Sequence, residues 1–364
     1  MSRRETSGNP NRLRTRYLVN ILFLCGITLT VLMAAVFLML QLHRAGEELN
    51  HLNARIEAVQ GEKDKLYTAE EVETERAAAE KAGRTAEHSA MLQRIQSSLE
   101  SGESTLTMLR GLFPDDLVVK NGDKYYFFSV LNNVPMSAFT RNDFQKDASG
   151  RMQYAGSDTS VRTRQGVDVS EGSGVIDWKA VAEDGIDFAF ICAGGRDAEG
   201  RLQKDGRLAV NLREAAEAGL ETGGYFRLNA ISLEEVQEDA AWLLNLLAPY
   251  KEQMTGPVAV VVSMPGEKDR RVSLSREMLT ELAQSFSSAV SAADYDTLLF
   301  AGVTAYTMKL DLTALTDETL WVSDHGETLY FPYRFRYWQY TDSGQVNGIE
   351  GKAHLDLWVS EPDR

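Results

Sequence analysis

DGIDFAFICAGG, residues 184–195, reads as a helix end followed by a strand with no polar alternation: residues 188–193 are apolar without a break. A strand that is apolar at every position is covered on both faces, as in a parallel sheet packed between helices. Residues 258–262, 297–300 and 320–322 repeat the pattern, and between them residues 233–247 and 274–290 carry helical spacing. This alternation predicts an α/β fold with a buried parallel sheet. In (β/α) barrels, chemistry gathers at the C-terminal ends of the strands. Asp168, Ser263 and Asp356 fall at or near such ends.

Four segments carry a more specific resemblance. GVDVSEGSGVIDW (166–178) has a strand ending in Asp-x-Ser, a glycine loop and Ile-Asp-Trp entering a helix. The second is the strand quoted above. NLREAAEAGLETGGYFRLNAIS (211–232) has a helix, a glycine turn and an aromatic strand. YWQYTDSGQVNGIEGKAHLDLW (337–358) ends in Gly-Ile-x-Gly and a closing Asp strand. In this order the four resemble glycoside hydrolase family 25, the lysozyme-type muramidases, from residue 166 onward. The resemblance implies a TIM-like (β/α) barrel acting on peptidoglycan.

It also implies Pro-x-x-φ-Asp-x-Glu on the fourth strand, and there the chain departs. PVAVVVS (257–263) has Val261 at the Asp position and Ser263 at the Glu position. Glycoside hydrolysis needs one carboxylic acid on the leaving oxygen and a second carboxylate beside the sugar. Strand alternation would put both on one face. Asp168 and Asp356 match the family's two other acidic site positions. Loss of a positioned acid costs about 10²–10⁴-fold in rate, so a non-catalytic, wall-binding or docking domain is expected. The alternatives are an active muramidase whose acid is relocated to Glu267 or Asp269, and a structural envelope protein that docks a wall-associated protein. Tyr225, Trp338 and Tyr340 are expected to line a glycan site. Arg227 stands where the family has a second aromatic. It either points into the cleft and neutralises Asp168 and Asp356 in charge-assisted pairs, or lies along the rim in solvent.

Ahead of this domain, residues 17–42 hold no charged side chain and exceed the ~20 residues a membrane-spanning helix needs. Arg3, Arg4, Arg12, Arg14 and Arg16 precede them and Glu47 and Glu48 follow. The positive-inside rule then predicts a signal anchor, with a cytoplasmic tail (1–16) and everything after residue 42 extracellular. Leu42, Leu49 and Ile56 alternate with Ala45, Leu52, Val59 and Leu66 in heptads. A second register runs through Leu92, Ile95, Leu99, Leu106 and Leu109, with Gly102 interrupting. This predicts a helical stalk over 43–112, either a coiled coil that pairs two copies or a single solvated spacer. Residues 113–164 are expected to form a small β segment and linker, with Asn121-Gly122 as a hairpin turn. The barrel follows over 165–364.

The net charge of −15 excludes the broad basic surface that nucleic acid requires. Cys25 and Cys192 are too far apart in kind, one in the apolar span and one in a strand, to pair. The five histidines (His43, His51, His88, His325, His354) are scattered. No cysteine–histidine cluster has metal spacing and no glycine loop would cradle a phosphate, so no cofactor is expected. His354 is expected at the rim, in solvent.

Overall fold

The computed structural model describes residue 29 and residues 32–55, 68–326 and 328–362. The described residues fall into two units, divided between Leu92 and Gln93. Most of the expected anchor lies outside the described residues; of 17–42, residues 29 and 32–42 are described and helical. Among the described residues no helix is long and apolar enough to cross a membrane. Cys25 and the heptad positions Ile56, Val59 and Leu66 also lie outside them.

In the first unit, residues 32–55 are helical, and Leu42, Leu49 and Leu52 of the first heptad block are exposed. A second helix, Ala69–Ser101, starts on a reciprocal cap: the Glu71 amide donates to the Thr68 hydroxyl (3.2 Å) and the Thr68 amide to the Glu71 carboxylate (2.8 Å). It stops at Gly102, whose φ of 71° is open to glycine at little cost. Ser104 then caps a separate short helix, Thr105–Leu112.

The second unit begins within the long helix at Gln93, includes the short helix Thr105–Leu112, and continues into a hairpin, β1 (Asp116–Asn121) and β2 (Lys124–Ser129). Asn121 pairs with Lys124, so the two-residue turn is Gly122-Asp123, one position later than Asn121-Gly122. Gly122 has a positive φ and Asp123 does not, which is the type II′ pattern. A second small ribbon joins β3 (Phe144–Lys146) and β4 (Met152–Tyr154). Neither behaves as a linker. The Tyr330 hydroxyl accepts from the Val118 amide (2.6 Å) and donates to the Asp116 carbonyl (3.0 Å), and the Tyr333 hydroxyl accepts from the Leu131 amide (2.9 Å). Arg110 stacks 3.6 Å over the Tyr330 ring, and Phe144 meets Trp338 edge-on.

The barrel has eight strands: β5 (Thr163–Val169), β6 (Phe188–Arg196), β8 (Glu221–Arg227), β9 (Val258–Val261), β10 (Thr297–Gly302), β11 (Leu320–Ser323), β12 (Tyr337–Gly344) and β13 (Ala353–Val359). It closes because β5 pairs with both β6 and β13. Neighbours from β5 through β12 are parallel, while β13 runs antiparallel to both its neighbours. A short β7 (Leu202–Lys204) adds to β6 as a hairpin at the mouth. Alternation along the strands sends Phe188, Phe190, Cys192, Ala259, Leu298, Trp321 and Tyr337 into one interior cluster, and helices cover the outside. Cys192 is part of that filling, and burial pushes its thiol up to about 11. The interior is therefore a packed plug, and only its top layer lies at the mouth.

Candidate functional site

That top layer is built on Asp168, near the end of β5 and almost buried. One carboxylate oxygen accepts from the Gln339 amide nitrogen (2.6 Å) and the other pairs with His354 Nδ1 (3.0 Å). The pairing follows from register, since His354 lies opposite Asp168 across β13 and β5. The hydrogen bond and charge of Asp168 raise the His354 pKa above its ordinary value despite some burial, which favours the imidazolium. His354, expected in solvent at the rim, is half-exposed there and is also the partner of Asp168.

Gln339 organises the next shell. Because its nitrogen faces Asp168, its carbonyl oxygen faces Ser323 Oγ (2.9 Å) and His325 Nε2 (2.9 Å). Ser323 Oγ is also 3.1 Å from His325 Nε2, and His325 Nδ1 is 3.5 Å from Asp342. The grouping looks like a serine–histidine–aspartate array, but the amide orientation decides otherwise. His325 Nε2 must carry a proton to donate to Gln339, so it cannot take one from Ser323.

Asp356 sits two residues after His354 on the same face of β13 and is fully buried. Its Oδ1 accepts from Trp321 Nε1 (2.8 Å), and its Oδ2 has no hydrogen-bond partner among the described residues. Burial and the nearby Asp168 charge push its carboxyl well above the usual carboxylate range, which favours the neutral acid. Sealed beneath the mouth, it cannot reach a glycosidic oxygen. A raised carboxyl contributes stability that is full below the ordinary 3.8 and is lost as pH rises toward its folded value. Asp356→Asn imitates the neutral acid and is expected to stay within about 1 kcal/mol of wild type at pH 7. The variant should gain on wild type as pH increases. Thermal melts of both proteins at pH 5 and 9 check this; a variant that loses ground at pH 9 would show Asp356 to be ionised.

Val261 ends β9 half-buried, next to the interior cluster, and no carboxylate replaces it. Ser263 is exposed, and its hydroxyl accepts from Arg271 Nη2 (3.0 Å). Arg271 is buried; it also donates to the Leu228 carbonyl (2.8 Å) and grips Asp269 through Nε (3.0 Å) and Nη2 (2.7 Å). Burial works to raise the Asp269 carboxyl, but the Arg271 hydrogen bonds outweigh it and hold the group below its ordinary value. Asp269 is therefore an anchored anion and a poor acid. Glu267 is exposed on the same loop.

Two expectations about ligand contacts need correction, and of the two readings of Arg227 the exposed one holds. Trp338 and Tyr340 are fully buried and point outward from the barrel. Trp338 Nε1 donates to the Asp324 carbonyl (2.8 Å), and the Tyr340 hydroxyl donates to Gln165 (2.9 Å). Their inward neighbours, Tyr337 and Gln339, hold the places assigned to them. The Tyr225 ring is enclosed in the interior cluster and offers no free face to a sugar. Arg227 is exposed and makes no ion pair with Asp168 or Asp356; its Nη2 lies 3.4 Å from the Tyr225 hydroxyl. Among the described residues no group of three or more histidine, cysteine or acidic side chains is placed to hold a metal ion.

Residues 167–349, just over half of the chain, match the family model described as "Glycosyl hydrolases family 25". An autolytic lysozyme of Clostridium acetobutylicum is 25% identical over 193 residues, covering 53% of this chain and 55% of the relative. Lysozyme M1 of Streptomyces globisporus is 41% identical over 61 residues, 17% of this chain and 19% of that one. The modular autolysin LytC of Streptococcus pneumoniae superposes with a TM-score of 0.50 at 19% identity, covering 66% of this chain and 57% of that one, a likeness of fold. The chain thus spans little more than half the length of the autolytic lysozyme and of LytC.

Proposed function

We propose that this chain, which belongs to glycosyl hydrolases family 25, is a membrane-anchored extracellular protein whose barrel mouth holds peptidoglycan without cutting it. The observation that carries the reading is the end of β9. Where the chemistry requires two carboxylates, Val261 cannot ionise, and the Ser263 hydroxyl is occupied by a buried guanidinium. The acids that remain are unsuited to proton donation. Asp168 is an acceptor between Gln339 and His354, Asp356 is sealed, and Asp269 is neutralised by Arg271. Of the two acids to which the activity could be relocated, Glu267 and Asp269, only the exposed Glu267 stays unpaired by Arg271. The mouth keeps what binding needs: a hydrogen-bonding floor of Asp168, Gln339, His354 and Ser323 under an open rim. The purified full chain in detergent should sediment with insoluble peptidoglycan; failure to co-sediment would refute wall binding.

The anchor belongs to the same reading and rests on the uncharged run 17–42 behind its arginine cluster. Protease added to intact protoplasts should remove the barrel, whereas full protection would place it inside. Exposure of Leu42, Leu49 and Leu52 along one helix supports pairing of two stalks. Cross-linking of the full chain should then trap a dimer, and a chain that stays monomeric at every concentration leaves only a spacer.

A further inference from the structure

From the geometry we infer that a cavity beside Arg227 is a carboxylate-binding subsite, one that takes the acidic end of a peptide carried on the glycan. This rests on the wall-binding reading and specifies the ligand group. The cavity, of about 250 Å³, lies at the barrel mouth between the ends of β6 and β8 and the β6–β7 hairpin. Two glycines shape it. A Cβ on Gly194, whose φ is 132°, would lie 2.1 Å from the Gln203 carbonyl oxygen, and one on Gly195 would lie 2.6 Å from the Arg227 carbonyl oxygen. A side chain at Gly194 would part β7 from β6, and one at Gly195 would part β6 from β8, so either would open the wall that Arg227 completes.

The charges in the cavity differ in their freedom. Arg196 is consumed by Asp239 and Glu238. Of the acids, Asp205 accepts from the amides of Glu171 and Arg207, Glu171 from the Gly206 amide, and Asp197 is paired with Arg201. Arg227 and Lys204 are exposed and form no ion pair among the described residues, although the Asp205 charge acts on Arg227 across the cavity. The guanidinium is instead set beside the Tyr225 ring, 5.6 Å from its centroid, with Nη2 near the hydroxyl. A planar fork fixed at one edge and open at the other suits bidentate recognition of a carboxylate. Peptidoglycan stem peptides end in such a group, whereas a neutral sugar ring offers the fork only uncharged acceptors, without charge assistance.

The test compares two disaccharide–peptide fragments of peptidoglycan, one with a free terminal carboxylate and one amidated there, by calorimetry on the full chain. The acid form is expected to bind about tenfold more tightly, the ratio that 1.4 kcal/mol of charge-assisted pairing produces. Arg227→Gln should bring the ratio close to one, and Lys204→Gln on the exposed hairpin should lower it in part. Equal binding of both fragments to wild type would overturn the subsite and leave wall binding standing. Binding of neither would remove wall binding and the subsite with it. Displacement by glycerol phosphate without an acid preference would reassign the cavity to phosphate and overturn the inference.

Discussion

Grafting the missing carboxylates, Val261→Asp with Ser263→Glu, is expected to leave peptidoglycan turnover at background. Ser263 already directs its side-chain oxygen at Arg271, which is buried and cannot swing away. A glutamate there starts along the same path and meets a guanidinium, which holds it ionised when the chemistry needs it protonated. Adding Arg271→Met with Asp269→Asn removes the cation and its partner together, so no buried charge is orphaned. Activity should then rise by about 10²–10⁴-fold, the contribution of a positioned general acid. Release of reducing ends from purified peptidoglycan measures it. Full activity in the two-residue graft would show that Arg271 does not govern position 263.

Arg196→Met is expected to cause the largest loss of stability, about 3–5 kcal/mol at pH 8. Arg196 donates through Nε to Asp239 (2.8 Å), through Nη2 to Glu238 (2.6 Å) and through Nη1 to the Gly200 carbonyl (2.6 Å). Asp239 is fully buried, and one of its oxygens has no hydrogen-bond partner among the described residues. Burial pushes its carboxyl up to about 6 against the opposing pull of Arg196. Stability from this carboxyl is full below the ordinary 3.8 and declines as pH rises through about 6. Without Arg196 the folded value climbs further, so the deficit of the variant should widen from pH 5 to pH 8. Urea unfolding of both proteins at the two pH values checks the size and the slope. A deficit under about 1 kcal/mol that ignores pH would show that Asp239 stays neutral in both proteins.

The parallel strands were legible because residues 188–193 and 258–262 are apolar at every position, a pattern that only coverage on both faces explains. The reversal of β13 was not, since strand direction depends on how the barrel closes and leaves no mark on AHLDLWV. Trp338 and Tyr340 illustrate how a single step of register inverts a strand: the expectation put both on the inner face, which belongs to Tyr337 and Gln339. The same alternation could have found His354, two residues from Asp356 and so on its face. What it could not show is depth, the difference between a half-exposed histidine and a sealed acid. Residues 113–164 read as a small β segment and linker; their docking on the barrel was not legible because their partners, Tyr330 and Tyr333, lie some two hundred positions downstream. Arg271 escaped notice for a related reason, since nothing local announces that a loop arginine turns back under Ser263.

The measurement closest to the central claim incubates the full chain with insoluble peptidoglycan and follows two quantities in one tube, the protein retained on the pellet and the reducing ends released to the supernatant. Retention without release above buffer is the expected result. Sustained release of reducing ends, lost in Glu267→Gln, would contradict it and identify a working acid on the loop after β9.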